Sequence, residues 1–398
     1  MIRNYAISPL LYGLITITFC SYVFGFSLNP MLFLLLFAFF MVASGVITFF
    51  LTRILRRAAI LDRPNARSMH TVPVPRGGGW SYVVLITLGF ALAMSCGFVQ
   101  HITHFDMRAF LGGKIILGDL GRCWLLDTQT LLLFGGFLVL VLVSWRDDRA
   151  GVPARYRLLA QLFAVALPLY AYPVELLFPD WVPQPFAFFF VLLTWVWFIN
   201  LYNFMDGIDG ITATETFFVG GVIALLALKV FTDFWILNDL VLILSIVLCA
   251  TSIGFLQYNW HPARIFLGDV GSVAVGYILG FCLLHISVLG YWYIALTLPL
   301  YYLADSGITL GRRILLRERV WEAHRSHLYQ IAAKAAGRHD IVVMKIAACN
   351  AVLAAIAIAS LYWGPWVCLA APVPVGLLYV HFAKQASKVY LSIWQDEA

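Results

Sequence analysis

Charged residues are scarce in this sequence. Only 12% of its 398 residues are Asp, Glu, Lys or Arg, whereas 62% are hydrophobic. A soluble globular protein has about a quarter charged residues and about half apolar ones. The composition therefore excludes an ordinary soluble domain, and we expect no nucleic-acid partner.

Paired cysteine spacing is also missing. The seven cysteines lie mostly inside apolar runs, which excludes a disulfide framework and a cysteine-rich metal site. We interpret them as small buried hydrophobic residues. They are Cys20, Cys96, Cys123, Cys249, Cys282, Cys349 and Cys368.

What the sequence has instead is long apolar runs, such as Met31–Phe50, Leu131–Val143 and Val241–Thr251. A helix of about 20 apolar residues crosses the hydrocarbon core of a membrane. We predict an all-α, polytopic transmembrane helical bundle with about 11–12 spans, formed by one domain over residues 1–398. The predicted spans begin near Ser8, Met31, Trp80, Thr128, Leu158, Pro185, Ile211, Ile236, Gly271, Tyr291, Ile341 and Trp366.

Two of these spans have features that bear on the predicted count and shape of the bundle. The first has no small-residue cleavage site after it, so we interpret it as a retained helix rather than a signal peptide; without it the count is eleven. The span from Leu158 contains Pro168 and Pro173, which predict a kink.

Arginine predicts the orientation of the bundle. Most arginines fall in the loops that begin near Arg53, Arg146, His261 and Gly311. The opposite side holds only Arg108, Lys114, Arg122 and Lys229. Loops rich in Lys and Arg stay in the cytoplasm. The polar clusters lie in the same arginine-rich loops, so we expect an active site on the cytoplasmic face.

The first polar cluster is an aspartate pair, Asp147 and Asp148, between Arg146 and Arg149. Two adjacent carboxylates repel each other unless a cation lies between them. A solvated helix end is the alternative interpretation. The pair with its flanking arginines suits a site for a metal ion and a phosphorylated ligand.

The second cluster follows the apolar run Phe186–Ile199. Asn200, Asn203, Asp206 and Asp209 recur at intervals of three residues, a spacing that forms a stripe of oxygen atoms on a helix. Polar side chains are costly at a membrane edge, which favours a functional role over helix capping alone. Asp209 is in addition a candidate N-cap of the next helix.

Three further clusters are weaker alone. Asp269 lies between two glycines, five residues after Arg264, where a helix cap is the alternative. Arg76 precedes three glycines, which either present backbone N–H groups to an anion or form a flexible loop.

The third weaker cluster holds His324, Arg325 and His327, which suit phosphate oxygens better than zinc, because no third His or Cys lies at a suitable spacing. Asp305 interrupts an apolar span and either pairs with Arg312 and Arg313 or acts directly.

From Asp62 to Gln330 the sequence resembles the polyprenyl-phosphate N-acetylhexosamine-1-phosphate transferase superfamily (glycosyltransferase family 4; WecA/WbpL-type, related to MraY). The resemblance rests on Asp-Asp, Asn-x-x-Asn-x-x-Asp-Gly-x-Asp-Gly, Phe-x-Gly-Asp-x-Gly-Ser and His-x-x-His, in this order. The segments DRPNARSMH and HRSHLYQ look more like the O-antigen branch than like MraY.

The resemblance implies roles for these residues. Asn203 and Asp269 would bind Mg²⁺, with Mn²⁺ as an alternative, while Asp147 and Asp148 would face the lipid phosphate. Arg157 matches a basic residue that contacts the pyrophosphate, although Lys is frequent there in the family.

The remaining predicted site residues would assist them. Asp206 and Asp209 would support the site on the uridine side. The predicted substrate-binding set consists of Arg76, Arg157, Asn200, Arg264, His324, Arg325 and His327.

The implied reaction moves an N-acetylhexosamine 1-phosphate from a UDP-sugar to undecaprenyl or another polyprenyl phosphate and releases UMP. Such a step initiates O-antigen, lipopolysaccharide or a related surface glycan in the bacterial inner membrane. The sequence leaves the oligomeric state open, a homodimer included. The alternatives are a membrane transporter and a lipid pyrophosphate phosphatase. A transporter is disfavoured because the acidic groups gather at one face and no inverted repeat is evident.

Overall fold

The computed structural model describes residues 30–64, 72–110, 117–230, 237–318 and 326–396. In these ranges the chain is almost entirely helical, which confirms the predicted all-α class. The main helices are α1 (Pro30–Arg57), α2 (Trp80–Phe110), α3 (Leu117–Ala150), α4 (Ala154–Leu169), α5 (Gln184–Met205), α6 (Ile211–Val230), α7 (Leu237–Asn259), α8 (Asp269–Ile286), α9 (Trp292–Thr297), α10 (Leu300–Leu315), α11 (Leu328–Ala336), α12 (His339–Trp363) and α13 (Pro372–Asp396).

Short elements connect these helices. The antiparallel pair β1 (Leu61–Asp62) and β2 (Val74–Pro75) joins α1 to α2. Single turns of 3-10 helix lie at Val174–Leu177 and Pro365–Ala370. A π-helical turn at Ser287–Tyr291 separates α8 from α9.

Eight helical stretches in the described ranges are long and apolar enough to cross a membrane. They confirm a multi-pass membrane protein. They are Met31–Arg57, Thr128–Ala150, Gln184–Met205, Ile211–Leu228, Asp239–Asn259, Asp269–Thr297, His339–Trp363 and Pro365–Ser387. The predicted span near Ser8 lies outside the described residues.

Three predicted spans are shorter than an ordinary crossing helix. The apolar part of α2 is Trp80–Ser95. Helix α4 has 16 residues and ends at Leu169, next to Pro168, so the expected kink is instead a helix end. The span predicted from Tyr291 divides into α9 and α10 at Pro299, which has no backbone N–H to continue the helix. The left-handed Gly290 (φ 91°) interrupts the helix one step earlier, between α8 and α9.

Helix α8 forms the centre of the bundle. Every residue from Val270 to Ile286 is buried. Helices α2, α3, α5, α6 and α7 all pack against it. The spans of α1 and α13 are only 28% and 17% buried, as expected of helices that face lipid. Because α8 begins at Asp269, the fold places this residue where several helix ends meet.

Candidate active site

Arg76 joins two of the predicted clusters. One of its terminal nitrogens, Nη2, lies 2.9 Å from Oδ1 of Asp148 and 2.8 Å from Oδ1 of Asp269. Burial acts to lower the pKa of Arg76, but the charges of Asp269 and Asp148 outweigh it, and the pKa lies above its ordinary value. The end of α3 is therefore tied through a permanent cation to the beginning of α8.

Asp148 also contacts the backbone of α8. Its two carboxylate oxygens accept hydrogen bonds from the backbone N–H groups of Asp269 (3.4 Å) and Val270 (3.3 Å). A carboxylate at a helix N-terminus meets unpaired N–H groups and the positive end of the helix dipole. Asp148 thus fixes the first turn of α8.

Arg157 occupies the other side of the same carboxylates. Its Nη1 lies 2.8 Å from Oδ2 of Asp147 and 3.8 Å from Oδ2 of Asp269. Asp147 accepts a second hydrogen bond from the backbone N–H of Val152, at 2.6 Å. Among the described residues, the buried Nε of Arg157 has no hydrogen-bond partner. Arg157 therefore retains a free donor beside the acidic cluster.

The three carboxylates and two arginines, Asp147, Asp148, Asp269, Arg76 and Arg157, form one group, which we call the acidic centre. At neutral pH its formal charge is −1. All five residues were predicted as site residues from their separate motifs. The fold brings them together although they span almost 200 positions of the chain.

One interpretation of the sequence was that the three glycines after Arg76 present their N–H groups to an anion. In the structure these N–H groups have other acceptors. Gly77 and Gly78 donate to the carbonyl oxygen of Phe266 at 3.2 and 2.8 Å, and Gly79 donates to that of Leu267 at 2.8 Å. A Cβ at Gly79 would lie 2.3 Å from the backbone nitrogen of Gly271. The glycines therefore permit close contact between the start of α2 and the start of α8.

The two asparagines of α5 lie in different surroundings. Asn203 Oδ1 accepts a hydrogen bond from Ser272 Oγ at 2.7 Å, one turn of α8 after Asp269. Asn200 exchanges hydrogen bonds with Gln161 of α4, at 2.7 and 3.2 Å. Asn203 thus lies beside the acidic centre, whereas Asn200 joins α5 to α4.

Asp206 ends helix α5. Its Oδ1 accepts a hydrogen bond from Thr212 Oγ1 at 2.6 Å. Burial raises the pKa of Asp206 to about 7, and the nearby charge of Asp269 contributes to the increase. Asp206 is therefore about half protonated near neutral pH, which limits the negative charge beside the acidic centre.

Asp209 lies in the turn before α6, next to the segment that carries Arg264. Its Oδ2 accepts a hydrogen bond from the backbone N–H of Ala263 at 3.2 Å. The side chain of Arg264 is exposed, and its backbone N–H donates to Tyr258 at 2.7 Å. Arg264 is thus held at its backbone while its guanidinium remains available to a ligand.

His327 of the last motif is buried, and Asp305 holds it. Their Nδ1 and Oδ1 atoms are 3.1 Å apart. Asp305 also accepts hydrogen bonds from the backbone N–H groups of Leu328 and Tyr329, both at 3.2 Å. The hydroxyls of Tyr301 and Thr309 contact the same carboxylate, each at 3.3 Å. Asp305 therefore fixes the first turn of α11, a use that neither sequence interpretation considered.

Helix α11 in turn contacts the asparagine motif. The Tyr329 hydroxyl donates to the carbonyl oxygen of Phe204 at 3.2 Å. A Cβ at Gly207 would lie 2.2 Å from the same hydroxyl, so only glycine permits this approach. The predicted residues His324 and Arg325 lie outside the described part of the chain.

Replacing Asp305 with Asn should lower both stability and any activity of this site. An amide cannot accept every hydrogen bond that the carboxylate accepts, and buried donors left unpaired cost about 1–3 kcal/mol each. We expect a lower temperature of thermal unfolding in detergent for Asp305→Asn. Asp180→Asn, at an exposed position, is the matched control. Equal unfolding temperatures for both variants would contradict the role assigned to Asp305.

The acidic centre suits a hard divalent cation. Its oxygen atoms belong to carboxylates, and Mg²⁺ prefers one or two protein oxygens together with phosphate and water. Asp269 contacts Arg76 and Arg157, and Asn203 bonds to Ser272, one helical turn after Asp269. The ligand chemistry of the two predicted residues therefore fits Mg²⁺.

Several neighbours of these residues were not singled out from the sequence. They are Gln161, Thr212, His261, Ser272, Tyr329 and His339. Ser272 and Tyr329 lie inside the quoted motifs Phe-x-Gly-Asp-x-Gly-Ser and HRSHLYQ but received no role of their own, and the other four belong to no motif. The one available signal was polarity at the end of an apolar run, as for His261 and His339.

Comparisons with known proteins give one consistent result. Residues 130–287 match the family model described as glycosyl transferase family 4. The chain is 28% identical over 308 residues to the probable undecaprenyl-phosphate N-acetylglucosaminyl 1-phosphate transferase of Bacillus subtilis (strain 168), a match that covers 72% of this chain and 75% of that protein.

Two other relatives match over shorter lengths. The decaprenyl-phosphate N-acetylglucosaminephosphotransferase of Mycobacterium tuberculosis (strain CDC 1551 / Oshkosh) is 27% identical, over 59% of this chain and 57% of that protein. The phospho-N-acetylmuramoyl-pentapeptide-transferase of Caldanaerobacter subterraneus subsp. tengcongensis is 32% identical, over 36% of this chain and 49% of that protein. The family segment contains Asp147, Asp148, Asn203 and Asp269, all in or beside the acidic centre.

Proposed function

We propose that this chain, whose residues 130–287 match the model of glycosyl transferase family 4, transfers an N-acetylhexosamine 1-phosphate from a UDP-sugar to a polyprenyl phosphate. The products are a polyprenyl diphosphate sugar and UMP. The observation that carries the proposal is the acidic centre, in which two arginines join three carboxylates at the end of a membrane-spanning bundle. The relatives named above act on polyprenyl phosphates or are phospho-sugar transferases by name, which favours this reaction over transport or phosphatase activity.

The reaction joins groups of like charge. The lipid phosphate attacks the sugar-linked phosphorus, a new P–O bond forms, and the P–O bond to UMP breaks. Repulsion among three phosphates opposes this approach, so positioning and neutralising charge supply most of the catalysis. When bound, Mg²⁺ supplies positive charge to the pyrophosphate oxygens, and Asp269 and Asn203 are the residues that would hold it.

The arginines carry the rest of the positive charge. Arg157 has an unused donor, Nε, in addition to the nitrogen that holds Asp147. Arg76 keeps 40% of its side chain exposed although it contacts two carboxylates. Both guanidinium groups suit phosphate oxygens, which they bind through paired N–H donors. Arg264, His327 and Asn200, together with His324 and Arg325, complete the proposed substrate-binding set.

Asp147 is better suited to positioning than to covalent attack. Arg157 and the N–H of Val152 hold its two oxygens. A phosphate monoester has its second pKa near 6, so the lipid phosphate is mostly dianionic at neutral pH and a general base gains little. We therefore favour direct attack by the lipid phosphate, oriented by Asp147 and Asp148, with Asp206 and Asp209 supporting the uridine side.

The location follows from the substrates. A polyprenyl tail stays in lipid while a nucleotide sugar arrives from the cytoplasm, so we place the site on the cytoplasmic face of a bacterial inner membrane. The product would initiate O-antigen, lipopolysaccharide or a related surface glycan. Monomeric and homodimeric forms are both compatible with this proposal.

Release of UMP tests the proposal directly. We expect purified protein to release UMP only when undecaprenyl phosphate, a UDP-N-acetylhexosamine and Mg²⁺ are all present. EDTA should abolish the release, and Mg²⁺ or Mn²⁺ should restore it. UDP-N-acetylglucosamine is the first donor to test, followed by other UDP-N-acetylhexosamines. Folded protein that releases no UMP from any donor would contradict the transferase proposal.

A further inference from the structure

A second cluster of ligand atoms lies apart from the acidic centre. Oδ2 of Asp209 is 2.7 Å from Nδ1 of His261 and 3.2 Å from Nδ1 of His339. The three ligand atoms all lie within 4.8 Å of one another. They come from three separate parts of the fold: the turn before α6, the segment after α7 and the first residue of α12. No residue of the acidic centre belongs to this group.

Hydrogen bonding alone does not satisfy His339. Its Nδ1 lies 3.3 Å from the backbone N–H of Asp209 and 3.2 Å from the carboxylate oxygen of the same residue. A ring nitrogen carries either a lone pair or a proton. If Nδ1 carries a lone pair, it accepts a hydrogen bond from the Asp209 N–H, but the lone pair is repelled by those of Oδ2. If Nδ1 carries a proton, it donates to Oδ2, but the proton is repelled by the N–H. A cation between His339 Nδ1 and Oδ2 would take up that lone pair and remove the repulsion, at the cost of the long 3.3 Å contact with the N–H.

The surroundings of the cluster suit a bound cation with one open side. The side chains of Asp209 and His339 are each only 7% exposed, whereas that of His261 is 26% exposed. Oδ2 of Asp209 also accepts a hydrogen bond from the backbone N–H of Ala263 at 3.2 Å, which fixes the carboxylate between the two histidines.

The ligand types select the metal. Two imidazole nitrogens and one carboxylate oxygen are a common protein ligand set for Zn²⁺, with water as a fourth ligand. Mg²⁺ prefers oxygen and binds imidazole poorly. We propose that Asp209, His261 and His339 bind Zn²⁺ as a structural clasp, separate from the proposed Mg²⁺ site.

The distances are compatible with exchange of a proton for a metal ion. Without metal, the 2.7 Å contact between His261 and Asp209 is a hydrogen bond. Metal binding displaces the imidazole proton. Bonds of about 2.0–2.2 Å then place the ligand atoms roughly 3.3 Å apart in a tetrahedral site. The His339 contact is already at 3.2 Å, His261 Nδ1 would move outward from 2.7 Å, and the two imidazoles, whose ligand atoms lie within 4.8 Å, would close on the ion.

The clasp would hold the segment that leads into the acidic centre. His261 begins the stretch of chain that carries Arg264 and ends at Asp269. In the same stretch, the carbonyl oxygens of Phe266 and Leu267 accept hydrogen bonds from the glycines that follow Arg76. Zinc would join this stretch to the asparagine motif through Asp209 and to α12 through His339. Its role is therefore structural and does not depend on the transferase reaction.

Metal analysis of the intact protein tests the proposal. The full chain, purified in detergent with a tag that lacks histidine, should retain about one Zn²⁺ per chain after dialysis against metal-free buffer. His339→Ala and His261→Ala should lose this zinc. The control His381→Ala removes a histidine that contacts Lys345 on a different part of the fold, and it should retain zinc.

Two measurements keep the test decisive if a variant folds poorly. First, stripping the wild-type protein with a zinc chelator should lower its thermal unfolding temperature, and Zn²⁺, but not Mg²⁺, should restore it. Second, Co²⁺ added to the stripped protein should give the visible absorption of a four-coordinate site. Wild-type protein that neither retains zinc nor responds to it would overturn the proposal and leave a purely hydrogen-bonded cluster. Equal zinc retention by His339→Ala would overturn it too, because the metal would then lie elsewhere.

Discussion

Replacing Asp269 with Asn is expected to reduce UMP release by about 10²–10³-fold or more, the loss typical when one charged or hydrogen-bonding group at a transition state is removed. Asp269 contacts Arg76 at 2.8 Å, lies 3.8 Å from Arg157 and begins the central helix. The neutral amide would leave the acidic centre with two carboxylates against two arginines. The proposed Mg²⁺ would lose its charged ligand. The measurement is lipid-dependent UMP release by purified variant and wild type at saturating Mg²⁺.

The control for this variant is Asp180→Asn. Asp180 is an exposed aspartate outside every predicted cluster. It should release UMP at the wild-type rate. If Asp269→Asn retained more than about a tenth of the wild-type rate while folded, a role at the reacting phosphates would be untenable, since even one lost donor costs more than this.

Replacing Gly79 with Ala is expected to destabilise the protein by roughly 3 kcal/mol and to reduce activity with it. The added Cβ would lie 2.3 Å from the backbone nitrogen of Gly271 and 2.4 Å from its Cα. Backbone atoms cannot rotate away as a side chain does, so the starts of α2 and α8 must separate. That separation would also move Arg76 away from Asp269. The measurement is the thermal unfolding temperature in detergent, together with UMP release.

Gly135→Ala provides a matched control for the alanine substitution. Gly135 lies within α3, and a Cβ at this position meets no atom within 4 Å. Alanine also favours helix over glycine by about 1 kcal/mol, so this variant should be at least as stable as the wild type. Similar unfolding temperatures for the two variants would show that the close approach of Gly79 and Gly271 contributes nothing to stability.

Much of the architecture followed from composition. Apolar runs of membrane-spanning length predicted the all-α bundle, and most helices in the described ranges begin within a few residues of the predicted starts. The exceptions are α3, which begins at Leu117 rather than near Thr128, and α13, which begins at Pro372 rather than near Trp366. The resemblance to the family followed from motifs at the ends of these runs, and the match of residues 130–287 to the family model supports it. The division of the span from Tyr291 was missed, because hydropathy does not register a proline such as Pro299 inside an apolar run.

The roles of single polar residues were harder to predict. Asp305 offered two interpretations in the sequence, and the structure adds a third, since its partners His327 and Tyr329 lie more than 20 residues away. The glycines after Arg76 looked like an anion-binding turn, yet their N–H groups bind the carbonyls of Phe266 and Leu267. The sequence does not show whether a backbone N–H group donates to a ligand or to another segment of the chain.

The sequence by itself determined that this protein spans a membrane, that its charged motifs gather at the helix ends, and which family it resembles. These properties depend on the local order of apolar and polar residues, which hydropathy and spacing register directly. Only the tertiary structure decided that Arg76 bridges Asp148 and Asp269 and that Asp209 meets His261 and His339. Those contacts join positions separated by 52 to 193 residues, and such distant partners are chosen by helix packing, which leaves no fixed spacing in the chain.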